Sequence, residues 1–206
     1  MSNSQAMIYV VDDDESVRRA LTLLLKANGY RVETFACAVD FLAFKHGRFS
    51  SCLLLDVNLP GINGPLLQDT MAAEHLDIPI VFITGHGSIP MGIKAMKSGA
   101  VDFLPKPFTE KDLLDAVERA ISRSRVQIRD GAEVAQIKKR IDTLSPRELE
   151  VFHFVAQGLL NKQIASRRGT ALQTIKVHRG RVMQKMQAKT VTELIHFAQK
   201  AGIVNS

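Results

Sequence analysis

Five times in the first 120 residues a short apolar run rich in β-branched residues gives way to a stretch with helical spacing. Met7–Val11, Arg31–Phe35, Cys52–Asp56, Ile78–Thr84 and Val101–Leu104 read as strands. Ser16–Asn28, Val39–His46, Pro65–His75, Ile89–Ser98 and Glu110–Ser122 read as the helices between them. Each strand followed by a helix predicts an α/β fold with a parallel, doubly wound sheet. In such a sheet a binding site belongs at the carboxyl ends of the strands, near a topological switch point. Asp12 and Asp13 follow the first strand, Asp56 ends the third, Thr84 ends the fourth and Lys106 follows the fifth, so separate loops deliver polar groups to one edge.

The last 60 or so residues have a different pattern. "SPRE" at 145–148 is a capping box with Pro146 at the first helical position. Gly158 ends that helix, a short one covers Asn161–Arg168, Gly169 breaks the chain again, a third runs over Leu172–Met186 and a fourth from Thr192 to Ala201. Two short helices joined by a tight Gly-containing turn are the helix-turn-helix layout. Between the two regions, "SRSRVQIRDGAEVAQIKKRID" keeps Val134, Ile137, Ile141 and Leu144 in one apolar seam, with Gly131 as the expected break. The seam suits packing on its own domain and a dimer-forming helix equally well. The expected division is 1–122, a basic helical linker over 123–142, and an all-α domain over 143–206.

Charge follows that division. The chain has a net charge of +6, yet residues 1–121 hold 11 Lys and Arg against 15 Asp and Glu, whereas residues 142–206 hold 10 against 4. An acidic first part and a basic second part imply different partners, the second a polyanion. No apolar run approaches the ~18 residues of a membrane span, and no secretory signal is visible, so the expectation is a cytoplasmic protein without a membrane partner. Cys37 and Cys52 lack metal-ligand or CxxC spacing and read as small buried residues.

The clustered carboxylates fit a hard divalent cation with oxygen ligands, Mg²⁺ or an ion such as Mn²⁺, shared with a phosphoryl group. One Asp would be the nucleophile toward phosphorus, with catalysis resting on positioning and charge neutralisation. Lys106 would offset phosphoryl charge, and the Thr84 hydroxyl would donate to a phosphoryl oxygen. In "LPKPF", Pro107 is expected to hold a cis bond that aims Lys106 inward. Asp14 and Glu15 need no metal, because negative charge suits a helix start. His86 reads as a loop residue.

Residues 5–122 resemble the receiver domain of two-component response regulators through Asp12–Asp13, Asp56 in "LLLDVNLPGING", Thr84 in "FITGHGSIP" and Lys106–Pro107 in "VDFLPKPF". The resemblance implies a flavodoxin-like fold and makes Asp56 the phosphoacceptor, fed by a sensor histidine kinase. It also implies metal ligation by Asp12, Asp13, Asp56 and the backbone carbonyl of Asn58, and a switch pair formed by Thr84 and Phe103. A phosphatase of the haloacid dehalogenase type is disfavoured: that class resembles D-x-D-G-T, and this chain reads Asp56-Val57-Asn58-Leu59-Pro60. A receiver-like domain that never takes phosphate is the other alternative, although every acceptor-site group is present.

On the third C-terminal helix Ile175, His178, Val182 and Met186 share a core stripe. Gln173, Lys176, Val177, Gly180 and Gln184 lie opposite, flanked by Arg179, Arg181 and Lys185. Val177 gains nothing there from burial, but a thymine methyl would reward it. Gly180 costs a helix about 1 kcal/mol relative to Ala, which close approach of the backbone to DNA would compensate.

Residues 143–203 resemble the LuxR-type helix-turn-helix of NarL/FixJ-family regulators, through "LSPRELEVF", "GLLNKQIA", "TIKVHRGRVMQKM" and "VTELIHFA". DNA contacts would then come from Gln173, Thr174, Lys176, Val177, Arg179, Gly180, Arg181 and Lys185. The implied protein is a regulator, not a turnover enzyme, that sheds its own phosphate, dimerises on phosphorylation, binds promoter DNA, engages RNA polymerase and activates transcription. Ala171 and Leu172 depart from the Ser-Pro that usually starts the recognition helix, and Thr170 is expected to cap it instead.

Overall fold

The computed structural model describes residues 6–85 and 89–204, with the backbone alone at 89–91. His86 lies outside the described residues. The chain divides into two units, one ending at Ile128 and the other starting at Arg129.

In the first unit, strands β1 (Met7–Val11), β2 (Arg31–Phe35), β3 (Ser51–Asp56), β4 (Ile80–Thr84) and β5 (Asp102–Pro105) form one parallel sheet in the order β2-β1-β3-β4-β5. Helices α1 (Glu15–Ala27), α2 (Ala38–Ala43), α3 (Gly64–Ala73), α4 (Ile89–Lys97) and the start of α5 (Glu110–Ile141) alternate with the strands. Successive strand residues point to opposite faces, so the sheet feeds two cores. Ile8, Val10, Leu54, Val81 and Ile83 pack with Leu21 and Leu25 of α1 and Leu113 and Val117 of α5. Tyr9, Val11, Leu53, Leu55 and Phe82 pack on the other face with Phe41 of α2, Leu67 and Met71 of α3 and Ala95 of α4. This is the flavodoxin-like doubly wound arrangement, and its order reverses between β1 and β3, which is where a ligand site belongs.

The second unit is all helical: the end of α5, then α6 (Pro146–Ala156), α7 (Asn161–Arg168), α8 (Leu172–Met186) and α9 (Val191–Lys200). Ile137, Phe152, Ile164, Ile175, Val182, Met186 and Leu194 are the centre of its core. The capping box is formed as the sequence reads: the Ser145 side chain accepts from the Glu148 N–H, and Glu148 accepts from the Ser145 N–H. Gly169 ends α7 at φ 58°, a left-handed conformation that costs glycine little.

Two local expectations are corrected, at Gly131 and Thr170, and the apolar seam takes one of the two roles open to it. Helix α5 runs through Gly131 without a break, because Gly lowers helix propensity but keeps its N–H in the hydrogen-bond ladder. The seam of Ile137, Ile141 and Leu144 packs into the core of its own unit. Thr170 does not cap α8; the N-cap is Ala171, whose side chain has no acceptor to offer. Of the cysteines, Cys52 is buried, with burial pushing its thiol far up, while Cys37 is only half-buried because it sits at the edge of α2, as the N-cap.

Candidate phosphoacceptor pocket and nucleic-acid interface

The pocket starts where β1 and β3 end side by side, with Val11 paired to Leu55 and Asp56 one residue further on. Gly64 lets the first turn of α3 close onto this strand end. A Cβ there would come within 2.8 Å of the Asp56 carbonyl and 2.9 Å of the Phe82 ring, and the Gly64 N–H donates to the Val57 carbonyl at 3.0 Å.

The carboxylates of Asp12, Asp13 and Asp56 each offer an oxygen within 4.8 Å of the others. Asp12 and Asp56 are buried, whereas Asp13 is exposed. Lys106 reaches in from the end of β5 and donates to Asp12 Oδ2 at 2.8 Å, while Asp12 Oδ1 accepts from the Asp14 N–H at 2.9 Å. The Lys106–Pro107 bond is cis, as the sequence reading expects, and the Lys106 N–H donates to the Thr84 carbonyl at 2.7 Å. Thr84 itself is fully buried, one residue beyond the Ile83 that pairs with Asp56. Phe103 is half-buried against the second core, its ring 3.3 Å from where a Cβ on Gly92 of α4 would lie.

Asp56 differs from its neighbours in being under-satisfied. Its Oδ1 is buried without a hydrogen-bond partner. Burial foremost, and then the Asp12 charge, hold its carboxyl above the usual range, against the pull of Lys106 and the backbone N–H groups of Asn58 and Val57. A buried acceptor with no donor is costly, so its presence beside two further carboxylates fits a cation or electrophile entering the pocket. The donor set, all hard oxygens, suits Mg²⁺ and fits the group well. Asn58, whose N–H faces Asp56, follows two residues later on the exposed side.

Asp14 and Glu15 have the helix-start roles expected of them. The Asp14 carboxylate caps α1 by accepting from the Ser16 N–H at 2.8 Å, and Glu15 pairs with Arg19 at 2.7 Å. Sequence reasoning missed Arg18. Its guanidinium donates to the Asp12 and Asp13 carbonyls at 2.7 and 2.9 Å, and so fixes the backbone of the acidic loop. The signal was an arginine one helical turn after the acidic run.

In the second unit α8 buries Ile175, Val182 and Met186, with His178 half-buried on the same side. Gln173, Thr174, Lys176, Val177, Gly180 and Arg181 are exposed. Two of the expected DNA contacts are otherwise engaged. Lys185 has partners within its own unit: its ammonium donates to Glu148 Oε2 at 2.6 Å and to the Thr143 carbonyl at 2.9 Å, so it joins α8 to the start of α6. A buried carboxylate and a carbonyl satisfy it better than solvent does. Arg179 is half-buried and donates to Asn161 Oδ1 at 2.7 Å.

Comparison with known proteins agrees with both halves. Residues 8–118 match the response regulator receiver domain, and residues 142–198 match the bacterial regulatory proteins of the luxR family. The chain is 46% identical to nodulation protein W of Bradyrhizobium diazoefficiens, over 98% of this chain and 89% of that protein. It is 40% identical to the transcriptional regulatory protein FixJ of the same species, over 96% of this chain and 97% of that one. Among solved structures, the response regulator StyR matches with a TM-score of 0.79 at 43% identity, covering 95% of this chain and 99% of that one. Full-length FixJ from B. japonicum matches with a TM-score of 0.56 at 39% identity, over 97% and 98% of the two chains. Among the described residues, no helix is long and apolar enough to cross a membrane. The receiver fold with its acidic pocket, the luxR-type helical unit and near full-length similarity to FixJ and its relatives make this chain a member of the NarL/FixJ family of two-component response regulators, a transcription regulator with a histidine kinase as partner and DNA as target.

Proposed function

We propose that phosphorylation of Asp56 by a sensor histidine kinase switches this regulator from a resting form to a dimer that binds promoter DNA and activates transcription in the cytoplasm. The observation that carries the reading is the buried, unpartnered Asp56 Oδ1 within reach of Asp12 and Asp13. In the transfer, an Asp56 oxygen forms a bond to phosphorus as the bond to the kinase's imidazole nitrogen breaks. Asp12, Asp13, Asp56 and the Asn58 carbonyl would hold Mg²⁺, which supplies positive charge against the phosphoryl oxygens. Lys106 leaves its 2.8 Å contact with Asp12 to meet the incoming phosphoryl group, and the Thr84 hydroxyl donates to a second phosphoryl oxygen.

Thr84 is the first residue of the readout, with Phe103 as its aromatic partner on β5. Phe103 is half-buried beside Gly92, so a change in its packing reaches α4 directly. Ile93 and Met96 of α4 are both exposed, and they offer apolar surface for a second receiver. Paired receivers bring two α8 helices to two half-sites, where Lys176 and Arg181 meet phosphates. The dimer then recruits RNA polymerase.

Retention of promoter fragments after treatment with a small phosphodonor and Mg²⁺ tests this reading. The treated parent is expected to bind DNA more tightly than the untreated parent, and Asp56→Asn to show no gain. Equal affinity before and after treatment, with phosphate on the protein, would refute the switch.

A further inference from the structure

Between the end of β1 at Val11 and the start of α1 at Glu15 the chain has only Asp12, Asp13 and Asp14 in which to turn. There the strand ladder has ended and the helix ladder has not begun, so the carbonyls of the turn need donors from elsewhere. One residue supplies them. Arg18 donates from its backbone N–H to the Asp14 carbonyl at 3.1 Å, and from Nη1 of its guanidinium to the Asp12 and Asp13 carbonyls at 2.7 and 2.9 Å. Four carboxylates stand at 12–15, yet among the described residues this arginine pairs with none of them. Its charge is spent on the backbone.

The two pocket residues of the turn depend on Arg18 to different degrees. Asp12 is buried and held at both carboxylate oxygens, by Lys106 at 2.8 Å and by the Asp14 N–H at 2.9 Å. Asp13 is exposed, and among the described residues the bond from Arg18 to its carbonyl is the one hydrogen bond it makes. Without that bond the cation itself would have to order Asp13, at a cost in conformational entropy taken from its affinity.

We propose that Arg18 is a positioning residue that sets the Mg²⁺ affinity of the pocket by bracing the backbone of Asp12 and Asp13. The proposal rests on the reading of Asp12, Asp13 and Asp56 as a Mg²⁺ site and adds a residue outside that ligand set. Sign separates bracing from charge. As a bare positive charge beside the pocket Arg18 would repel Mg²⁺, and its removal would tighten binding. As a brace it favours the cation in spite of that repulsion, and its removal weakens binding.

Amide NMR titration of the full-length protein with Mg²⁺ alone, before any phosphodonor is added, tests this. Arg18→Gln is expected to raise the dissociation constant about tenfold, as is usual when a partner behind a metal ligand is lost. Arg18→Lys, which restores a cationic donor, is expected to recover part of that loss. Arg19→Gln removes the same charge one residue on, where it pairs with Glu15 on the surface, and is expected to leave the affinity unchanged. In metal-free buffer the Asp14 amide should exchange faster in Arg18→Gln than in the parent, while unchanged β3 and β4 amides show that the fold is intact. At saturating Mg²⁺ the rate of phosphorylation by a small donor should return to that of the parent. Mg²⁺ bound by Arg18→Gln as tightly as by the parent, or more tightly, would overturn the proposal, and so would an equal loss in Arg19→Gln. A parent that shows no response to Mg²⁺ would instead remove the metal reading, and the proposal with it.

Discussion

Each unit of the chain contains a buried carboxylate bonded to a lysine, and the two sites have opposite characters. In the helical unit Glu148 is 3% exposed, and its Oε2 accepts from both the Lys185 ammonium and the Ser145 N–H. The Lys185 hydrogen bond foremost, with that N–H, pulls its carboxyl down to about 2. In the receiver Lys106 bonds to Asp12, but Asp56 next to it keeps a buried oxygen without a partner, and its carboxyl lies above the usual range. A satisfied pair joins two helices; an unsatisfied cluster is poised for a ligand. Burial and charge alone would not have told these sites apart.

The contrast breaks most clearly at Lys185. Lys185→Ala leaves Glu148 buried beside one remaining donor, and the helical unit is expected to lose roughly 2 kcal/mol, less than a fully enclosed pair because Lys185 is itself partly exposed. The midpoint of urea unfolding checks this. The same pair sets an acid limit. Glu148 has a lowered folded-state pKa, so its contribution is complete above its ordinary 4.5 and is lost as pH falls toward about 2. Glu148→Gln should flatten that part of the stability profile.

Asp56 should respond with the opposite sign. Its raised carboxyl costs stability at neutral pH, and that cost is relieved as pH falls through its folded-state value toward 3.8. In metal-free buffer Asp56→Asn is therefore expected to raise the receiver's unfolding midpoint, where the Glu148 change lowers that of the helical unit. Mg²⁺ sharpens the difference further. At ten times its dissociation constant it should stabilise the parent by about 1.4 kcal/mol and have little effect on the Asp56→Asn variant. A chelator should reverse the gain in thermal melts.

The smallest expected effect concerns the helix shared by the two units. Gly131 is exposed, helical and open, so Gly131→Ala should add about 0.5–1 kcal/mol of stability without touching either lysine pair. Hydrogen exchange along α5 would register it as slower opening around residue 131.

These two sites also mark how much could be read from the chain. The bounds of β1 and β2 follow directly from the apolar runs, and the pocket was legible because Asp12, Asp56 and Lys106 each sit at a strand end, where sheet topology dictates convergence. Strand β4 starts at Ile80, later than the apolar run suggests, because Pro79 has no N–H to give the ladder. The partners of Lys185 were illegible for a different reason. A lysine on an exposed helical stripe looks the same in sequence whether a phosphate or a carboxylate 37 residues away neutralises it. Glu148 showed only its capping role, since the second partner depends on tertiary packing. The continuity of α5 was hidden by a glycine whose cost the flanking helix absorbs.

The most direct test of the central claim is the intact mass of the protein after incubation with Mg²⁺ and a small phosphodonor. The parent is predicted to gain the mass of one phosphate, to lose that gain when the cation is chelated beforehand, and Asp56→Ala to gain nothing. An unmodified parent, or an Asp56→Ala variant labelled as fully as the parent, would contradict the assignment of the under-satisfied carboxylate as the phosphoacceptor.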